Sequence, residues 1–228
     1  MDVNNSMGRK TFLTALLLMV LVVPAAYGES EADTVLAGME NFWSGVETFG
    51  ADFRQEKSLA LFSDTIHSTG TLLFKKPERM LWRYDPPDDT VMSISPGQVM
   101  FYFPGLNQAR IIHLSGDDNT MDLAPMGFGM GGGMDEMKDR FDVTMKKDGK
   151  TIEVTFIPKE KNDGNGMEKV VIRIDEEYMP IAVAFYETGG DVTELVFSNQ
   201  RINISLDADA FDVQLPPGTS IETIGAGE

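Results

Sequence analysis

The side chains best suited to acid–base or metal chemistry are scarce in this sequence. Its two histidines, His67 and His113, stand in strand-like segments without a partner at the spacing of a metal site or a catalytic pair. The acidic pairs fall in turns or in a glycine-rich stretch, and none follows the alternating pattern of a calcium loop. They are Asp88-Asp89, Asp117-Asp118 and Asp135-Glu136. Turn solvation explains these pairs, so we expect no metal site.

Motifs of enzyme chemistry are absent from the sequence as well. The glycine run at 131–133 is not followed by the Lys-Ser/Thr of a phosphate-binding loop, and no G-x-S-x-G nucleophile motif occurs. Cysteine is absent, which excludes disulfides, thiol catalysis and thiolate metal sites. The sequence therefore favours a binding protein without a cofactor over an enzyme, and an exported hydrolase of unrecognised type remains the alternative.

The charge balance is strongly acidic. The 228 residues contain 36 Asp and Glu against 19 Lys and Arg, for a formal net charge of −17. Such a surface repels phosphate backbones and anionic headgroups, so we expect no nucleic-acid partner and no electrostatic membrane binding. Two explanations stay open for the acidity, namely solvation alone and selection for a basic partner.

The N-terminus has the features of an export signal. Arg9 and Lys10 precede an apolar run at 12–23, and Ala26-Tyr27-Gly28 offers a cleavage site. We expect residues 1–28 to be a cleaved signal peptide and residues 29–228 to form a single domain. Because residues 1–28 carry a net charge of +1, cleavage changes −17 to −18. The run is short for a bilayer span and no cysteine can carry a lipid anchor, so we expect an unanchored periplasmic protein.

One amphipathic helix is predicted near the start of the mature chain. Asp33 is a suitable N-cap, and Gly50 is a plausible end. The apolar residues between them recur at the spacing of one helix face. They are Val35, Leu36, Met39, Phe42, Trp43 and Val46.

After this helix the hydrophobic period changes to that of strands. Lys147-Asp148-Gly149-Lys150 between two alternating segments is the clearest hairpin signal. We predict strands near 51–57, 66–75, 79–84, 90–95, 98–103, 108–114, 141–147, 151–157, 168–175, 181–187 and 192–201. Consecutive hairpins of this kind form a meandering antiparallel sheet that curls toward a barrel, with the helix over an open face or mouth.

Large apolar side chains alternate along the strands between 70 and 108. They could form an ordinary sheet core or line a cavity, and both interpretations are kept. The alternating residues are Leu72 and Phe74, with Lys76 next on the same face, then Met80, Trp82 and Tyr84, and finally Val99, Phe101 and Phe103.

A methionine- and glycine-rich segment interrupts the strand pattern at 121–137. It holds five of the fifteen methionines, in the sequence MDLAPMGFGMGGGMDEM. Methionine side chains adapt to ligands of variable shape and glycine frees the backbone. The segment is therefore either a mobile lid over an apolar cavity or a disordered loop.

Four motifs in order resemble the LolA family of periplasmic outer-membrane lipoprotein carriers. They are FRQ at 53–55, GTLLFKKPERMLWRYDPP at 70–87, SPGQVMFYFPGLNQ at 95–108 and FDVQLPPG at 211–218. The resemblance covers nearly the whole mature chain. It implies a mainly β (α+β) fold, an unclosed antiparallel β-barrel of about eleven strands with an N-terminal helix, and short helices or a lid covering an apolar cavity.

The resemblance also implies a function, partners and site residues. Family members accept acylated lipoproteins from an inner-membrane ABC exporter and pass them to an outer-membrane lipoprotein receptor, so we expect a carrier and chaperone that acts as a monomer. The implied cavity lining is Leu72, Phe74, Met80, Trp82, Tyr84, Phe42 and Met39. The implied lid residues are Met121, Met126, Phe128, Met130 and Met134.

One position departs from the family pattern. The family places an arginine before the proline of the K-P turn, where it holds the lid closed, and this chain has Lys76 there. Lysine lacks the rigid fork of guanidinium, so a lid latch at Lys76 would be weaker or differently organised. A related open-barrel protein that binds lipid or senses envelope signals is the alternative within this fold.

Overall fold

The computed structural model describes residues 31–62, 64–114, 134–159 and 166–225. The predicted signal peptide and most of the predicted lid, with Met121, Met126, Phe128 and Met130, lie outside these residues. Among the helices within them, none is both long enough and apolar enough to cross a bilayer.

Two helices and twelve strands make up the described chain. The helices are α1 (Glu31–Ser44) and α2 (Met134–Arg140), and a 3-10 turn covers Pro104–Leu106. The strands are β1 (Thr48–Leu59), β2 (Asp64–Lys75), β3 (Arg79–Tyr84), β4 (Val91–Ser95), β5 (Gln98–Phe103), β6 (Gln108–His113), β7 (Phe141–Asp148), β8 (Thr151–Pro158), β9 (Met167–Ile174), β10 (Pro180–Glu187), β11 (Val192–Ile202) and β12 (Ser220–Ile224).

All twelve strands belong to one sheet, in the order β12-β6-β5-β4-β3-β2-β1-β11-β10-β9-β8-β7. Within the described ranges the end strands β12 and β7 do not pair with each other, so the sheet is not closed. The predicted open, mainly β fold is confirmed, and each of the eleven predicted strands is present. The sequence missed β12, which pairs in parallel with β6, with Ser220 opposite Gln108. Its five residues are all exposed, so no burial period marks it.

Helix α1 covers one face of the sheet with five of the six predicted apolar residues, and the sixth, Val46, follows the helix. Both predicted boundaries are wrong: Asp33 lies within the first turn, and Gly50 lies in β1. The helix ends because the chain turns at Gly45, where the N–H groups of Gly45 and Val46 donate to the Phe42 and Trp43 carbonyls. Strand β1 therefore begins closer to the helix than the glycine signal predicted.

The face beneath α1 carries the main hydrophobic core, which we call the inner face. Alternation puts Leu72 and Phe74 of β2 and Met80 and Trp82 of β3 on it, all of them buried. The cluster extends to the other half of the sheet. Its members there include Phe141, Val154, Phe156, Val170, Ile172 and Val183.

The opposite, outer face carries a smaller cluster. Leu81, Val91, Tyr102 and Ala109 come from four strands and pack with Phe211 of the segment that follows β11. This segment, residues 203–219, connects the middle of the sheet to β12 at its edge. We call it the strap.

Candidate functional site

The C-terminal half of α1 packs on aromatic side chains of the inner face. The Trp43 ring lies 5.6 Å from that of Phe49 and 6.4 Å from that of Phe74, centroid to centroid, in edge-on geometry. Met39 is buried and Phe42 is half-buried against the same cluster. The helix residues predicted to line a cavity therefore face the predicted strand residues.

Further along the inner face, Trp82 and Tyr84 of β3 pack on Phe53 of β1. The Phe53 ring centroid lies 5.0 Å from that of Trp82 and 5.1 Å from that of Tyr84. Strand β2 runs between β1 and β3, and Gly70 is the residue opposite both Phe53 and Tyr84. A Cβ at Gly70 would lie 2.1 Å from the Arg83 carbonyl oxygen and 2.6 Å from the Phe53 ring. Glycine is therefore required for Phe53 to reach across β2.

Tyr84 places a polar group, its hydroxyl, at one end of this aromatic region. Its hydroxyl donates to Gln55 Oε1 at 2.8 Å. Burial, with a smaller contribution from the negative charge of Asp88, raises the pKa of Tyr84 to about 12. Asp88 in turn accepts a 2.5 Å hydrogen bond from the Ser68 hydroxyl. The phenol is thus held in its neutral, hydrogen-bonded form at one end of an otherwise apolar surface.

Lys76 secures the other end, where α1 stops. Its Nζ donates to the carbonyl oxygens of Trp43 at 2.7 Å and Ser44 at 3.0 Å. The last carbonyls of a helix lack intrahelical donors and carry partial negative charge, so an ammonium group is well suited to them. The proposed latch residue therefore attaches to α1. Its predicted attachment to the segment 121–137 stays a prediction, because 121–133 lie outside the described residues.

Two further contacts hold α1, and the sequence did not predict either. Tyr178, in the turn between β9 and β10, has a φ of 66° and places its ring over Gly38. A Cβ at Gly38 would lie 2.1 Å from that ring. At the start of the helix, Lys138 of α2 forms a 2.8 Å ion pair with Asp33. The sequence feature that could have indicated the Tyr178 contact is Gly38 itself. A glycine inside an amphipathic helix lowers helix stability, so its presence suggests that a neighbour approaches closely.

The predicted lining residues thus come together on one surface. Leu72, Phe74, Met80, Trp82 and Met39 are buried, while Tyr84 and Phe42 are half-buried and pack against the same cluster. Of the predicted lid, Met134 begins α2, but its side chain lies outside the described part of the chain. Met137, three residues on, is buried in the inner-face cluster. That this surface encloses a cavity for acyl chains stays a prediction.

Of the residues considered for metal or acid–base chemistry, Asp117 and Asp118 and the side chains of Asp135 and Glu136 lie outside the described residues. His113 is exposed at the end of β6. His67 is exposed on β2, with Nδ1 3.6 Å from the carboxylate of Glu56. Within the described residues, no three His, Cys, Asp or Glu side chains are grouped as metal ligands.

Comparison with known proteins identifies the family. A family model described as outer membrane lipoprotein carrier protein LolA matches residues 44–214, well over half of the chain. The chain belongs to the LolA family. Curated relatives named outer-membrane lipoprotein carrier protein include one from Hahella chejuensis, 24% identical over 90% of this chain and 95% of the relative. Another, from Nitrosomonas europaea, is 25% identical over 94% of this chain and 98% of the relative. The resemblance drawn from the sequence motifs is thus confirmed.

The fold has a counterpart among solved structures. An uncharacterised conserved protein from Thermus thermophilus superimposes with a TM-score of 0.55 over 85% of this chain and 99% of that protein. At 10% identity, the likeness concerns the fold alone.

Proposed function

We propose that this protein is a periplasmic carrier that binds the acyl chains of lipoproteins between α1 and the inner face and moves them from the inner to the outer membrane. It acts by binding and release and catalyses no reaction. The observation that carries the proposal is the inner face itself. It is a broad aromatic and aliphatic surface under a helix that Lys76 fastens at its C-terminal end.

The physical need for such a surface comes from the cargo. Each exposed CH₂ group costs roughly 0.8 kcal/mol in water, so a long acyl chain costs on the order of 10 kcal/mol. A carrier must bury most of that hydrocarbon. Phe49, Phe53, Phe74 and Trp82 offer large apolar surfaces for this purpose once α1 moves aside.

The family description supports lipoproteins as cargo. By the same relation we propose an inner-membrane ABC exporter as the donor and an outer-membrane receptor as the acceptor. A monomer that diffuses between them fits this role, as do the predicted export signal at 1–28 and the lack of cysteine in the sequence.

Loading requires α1 to separate from the inner face, and Lys76 opposes that step. Binding affinity is reduced by whatever free energy holds the closed form. The two hydrogen bonds from Lys76 to helix carbonyls are charge-assisted but partly exposed, so together they contribute about 1 kcal/mol. Strengthening or weakening this attachment should therefore change acyl binding by a few-fold.

Substitutions at Lys76 test the proposal with a fluorescent fatty acid as the probe. We expect Lys76→Leu to lower the probe Kd a few-fold and to slow release, since the closed form loses its fastening. Lys76→Arg should raise Kd, because guanidinium can donate to both carbonyls in a fixed geometry. Lys75→Leu is the matched control. It makes the same change of charge and size at the neighbouring residue, which is exposed.

The proposal is wrong if no variant binds the probe, or if Lys75→Leu shifts Kd as much as Lys76→Leu does. Mass spectrometry of the protein purified from its own periplasm supplies the direct test, in which acylated protein should co-purify.

A further inference from the structure

Three large apolar side chains stand out by their exposure. Leu61 is 84% exposed and Phe62 is 73% exposed, in the turn between β1 and β2. Leu106 is 73% exposed, in the 3-10 turn between β5 and β6. In the described residues, no other large hydrophobic side chain exceeds 54%. We call these three residues the apolar tips.

The topology puts all the apolar tips at one end of the sheet. Each of the strands from β1 to β5 is antiparallel to the next, so β1 and β5 run in the same direction. The turns that follow β1 and β5 therefore emerge at the same end. Lys76 and the end of α1 are at the opposite end, where β2 finishes and β1 begins.

The hairpin that carries Leu61 and Phe62 projects beyond its neighbour. Strand β2 pairs with β3 only from Gly70 onward, so residues 64–69 extend past the end of β3. On the other side the hairpin is held by β11, and the Ala60 N–H donates to Asp191 Oδ1 at 2.9 Å. The two apolar side chains are thus presented on a supported hairpin, away from the core.

The size and charge of this surface indicate what it contacts. A stable protein interface buries about 800 Å² on each partner, which is more than side chains on two separate turns provide. A bilayer requires no such continuous patch, because each apolar side chain can enter the boundary between headgroups and acyl chains by itself. Phe and Leu are well suited to that boundary. The formal net charge of −17 opposes anionic headgroups, so a zwitterionic surface is favoured.

We propose that this end of the protein touches zwitterionic bilayers reversibly by inserting Leu61, Phe62 and Leu106. The contact needs no acyl cargo and does not depend on the proposed carrier function. It would bring the protein to a membrane surface on which acylated molecules are exchanged.

Flotation with vesicles of phosphatidylethanolamine and phosphatidylcholine tests the contact. We expect the wild-type protein to float with the vesicles, and Leu61→Ser, Phe62→Ser and Leu106→Ser each to lower the partition coefficient about 5- to 10-fold. Ile202→Ser is the matched control: Ile202 is 40% exposed and lies at the opposite end, where β11 finishes. Adding phosphatidylglycerol should weaken binding at low salt.

Two further measurements make the result decisive. Thermal unfolding and fatty-acid probe binding should not change in the Ser variants. Probe binding reports on the carrier proposal and flotation on the membrane contact, so failure of one is distinguishable from failure of the other. In Phe62→Trp the emission of the new indole should shift to the blue when vesicles are added, because the indole leaves water for the bilayer. Trp43 and Trp82 are already buried, so their emission should not change.

The proposal is overturned if the wild-type protein does not float, or if Ile202→Ser loses as much binding as the tip variants. Binding that appears only when the vesicles contain integral membrane proteins would also overturn it, in favour of a protein contact.

Discussion

The two faces of the sheet are covered in different ways. On the inner face, α1 continues into β1 through a short turn, and its other described attachments are side-chain contacts. On the outer face, the strap is continuous with β11 at one end and β12 at the other, and both of these strands belong to the sheet. Helix α1 can therefore lift without any strand pair breaking, whereas both ends of the strap are continuous with strands of the sheet. We therefore expect the inner face to open and the outer face to stay covered.

Two asparagines in the left-handed region tie down the ends of the strap. Asn203, with a φ of 54°, accepts from the Glu47 N–H at 2.8 Å and donates to the Gly45 carbonyl at 2.9 Å. Asn107, with a φ of 47°, donates to the Gly218 carbonyl at 3.1 Å. Asparagine tolerates this conformation better than most residues, and its amide satisfies the local backbone. The outer cover is thus pinned at both ends.

Phe211→Ala should have the largest effect, because it removes the ring that anchors the strap. Phe211 is buried in the outer cluster, and truncation of such a ring costs about 3–5 kcal/mol. Chemical denaturation measures this loss of unfolding free energy. At temperatures where the variant is folded, its Kd for the fatty-acid probe should equal the wild-type value. If probe binding were lost while stability was unchanged, the assignment of roles to the two faces would be reversed.

The difference in pH dependence between the wild-type protein and Tyr84→Phe tests the inner face through Tyr84. Because the pKa of Tyr84 is raised to about 12, the unfolded chain loses this proton first, at a pH near 10. The stabilising contribution is complete below pH 10 and falls by about 1.4 kcal/mol per pH unit up to pH 12. The total loss is roughly 2–3 kcal/mol. Tyr84→Phe should remove this part of the pH dependence in denaturation curves; an unchanged slope would contradict the burial described here.

Gly38→Ala should weaken the hold on α1 by a smaller amount. The added methyl group displaces the Tyr178 ring, while alanine itself favours the helix by about 1 kcal/mol, so the net destabilisation is about 1 kcal/mol. Hydrogen exchange should accelerate in α1 and stay the same in β4 and β5. The double variant Gly38→Ala, Tyr178→Ala should recover part of the loss. If it does not, the ring is not the cause.

The sequence was most informative where one face of an element is buried. The apolar period identified α1, and strict alternation placed Leu72, Phe74, Met80 and Trp82 on one surface. These patterns lie within single elements, so they could be recognised without knowing which strands are neighbours in the sheet.

What the sequence could not predict depends on contacts between distant residues. The carbonyls bound by Lys76 lie more than thirty positions earlier in the chain. The Tyr178 ring reaches α1 only because β9 and β10 are folded beneath it. Strand β12 depends on the strap for its position and has no buried side chain to mark it. Each of these features follows from tertiary packing, which local propensity does not encode.

The central strand pair determines when the chain can fold. Strand β1 pairs with β11, so Asp52 lies opposite Ser198. Among the described strands, the two halves of the sheet join only at this pair, whose members come from distant parts of the sequence. Contacts of such long sequence separation form slowly, because a large loop must close first. Because β11 ends at Ile202, the sheet cannot be completed before nearly all of the chain has been synthesised. For the export that we propose, this order of strands would delay folding until translocation can occur.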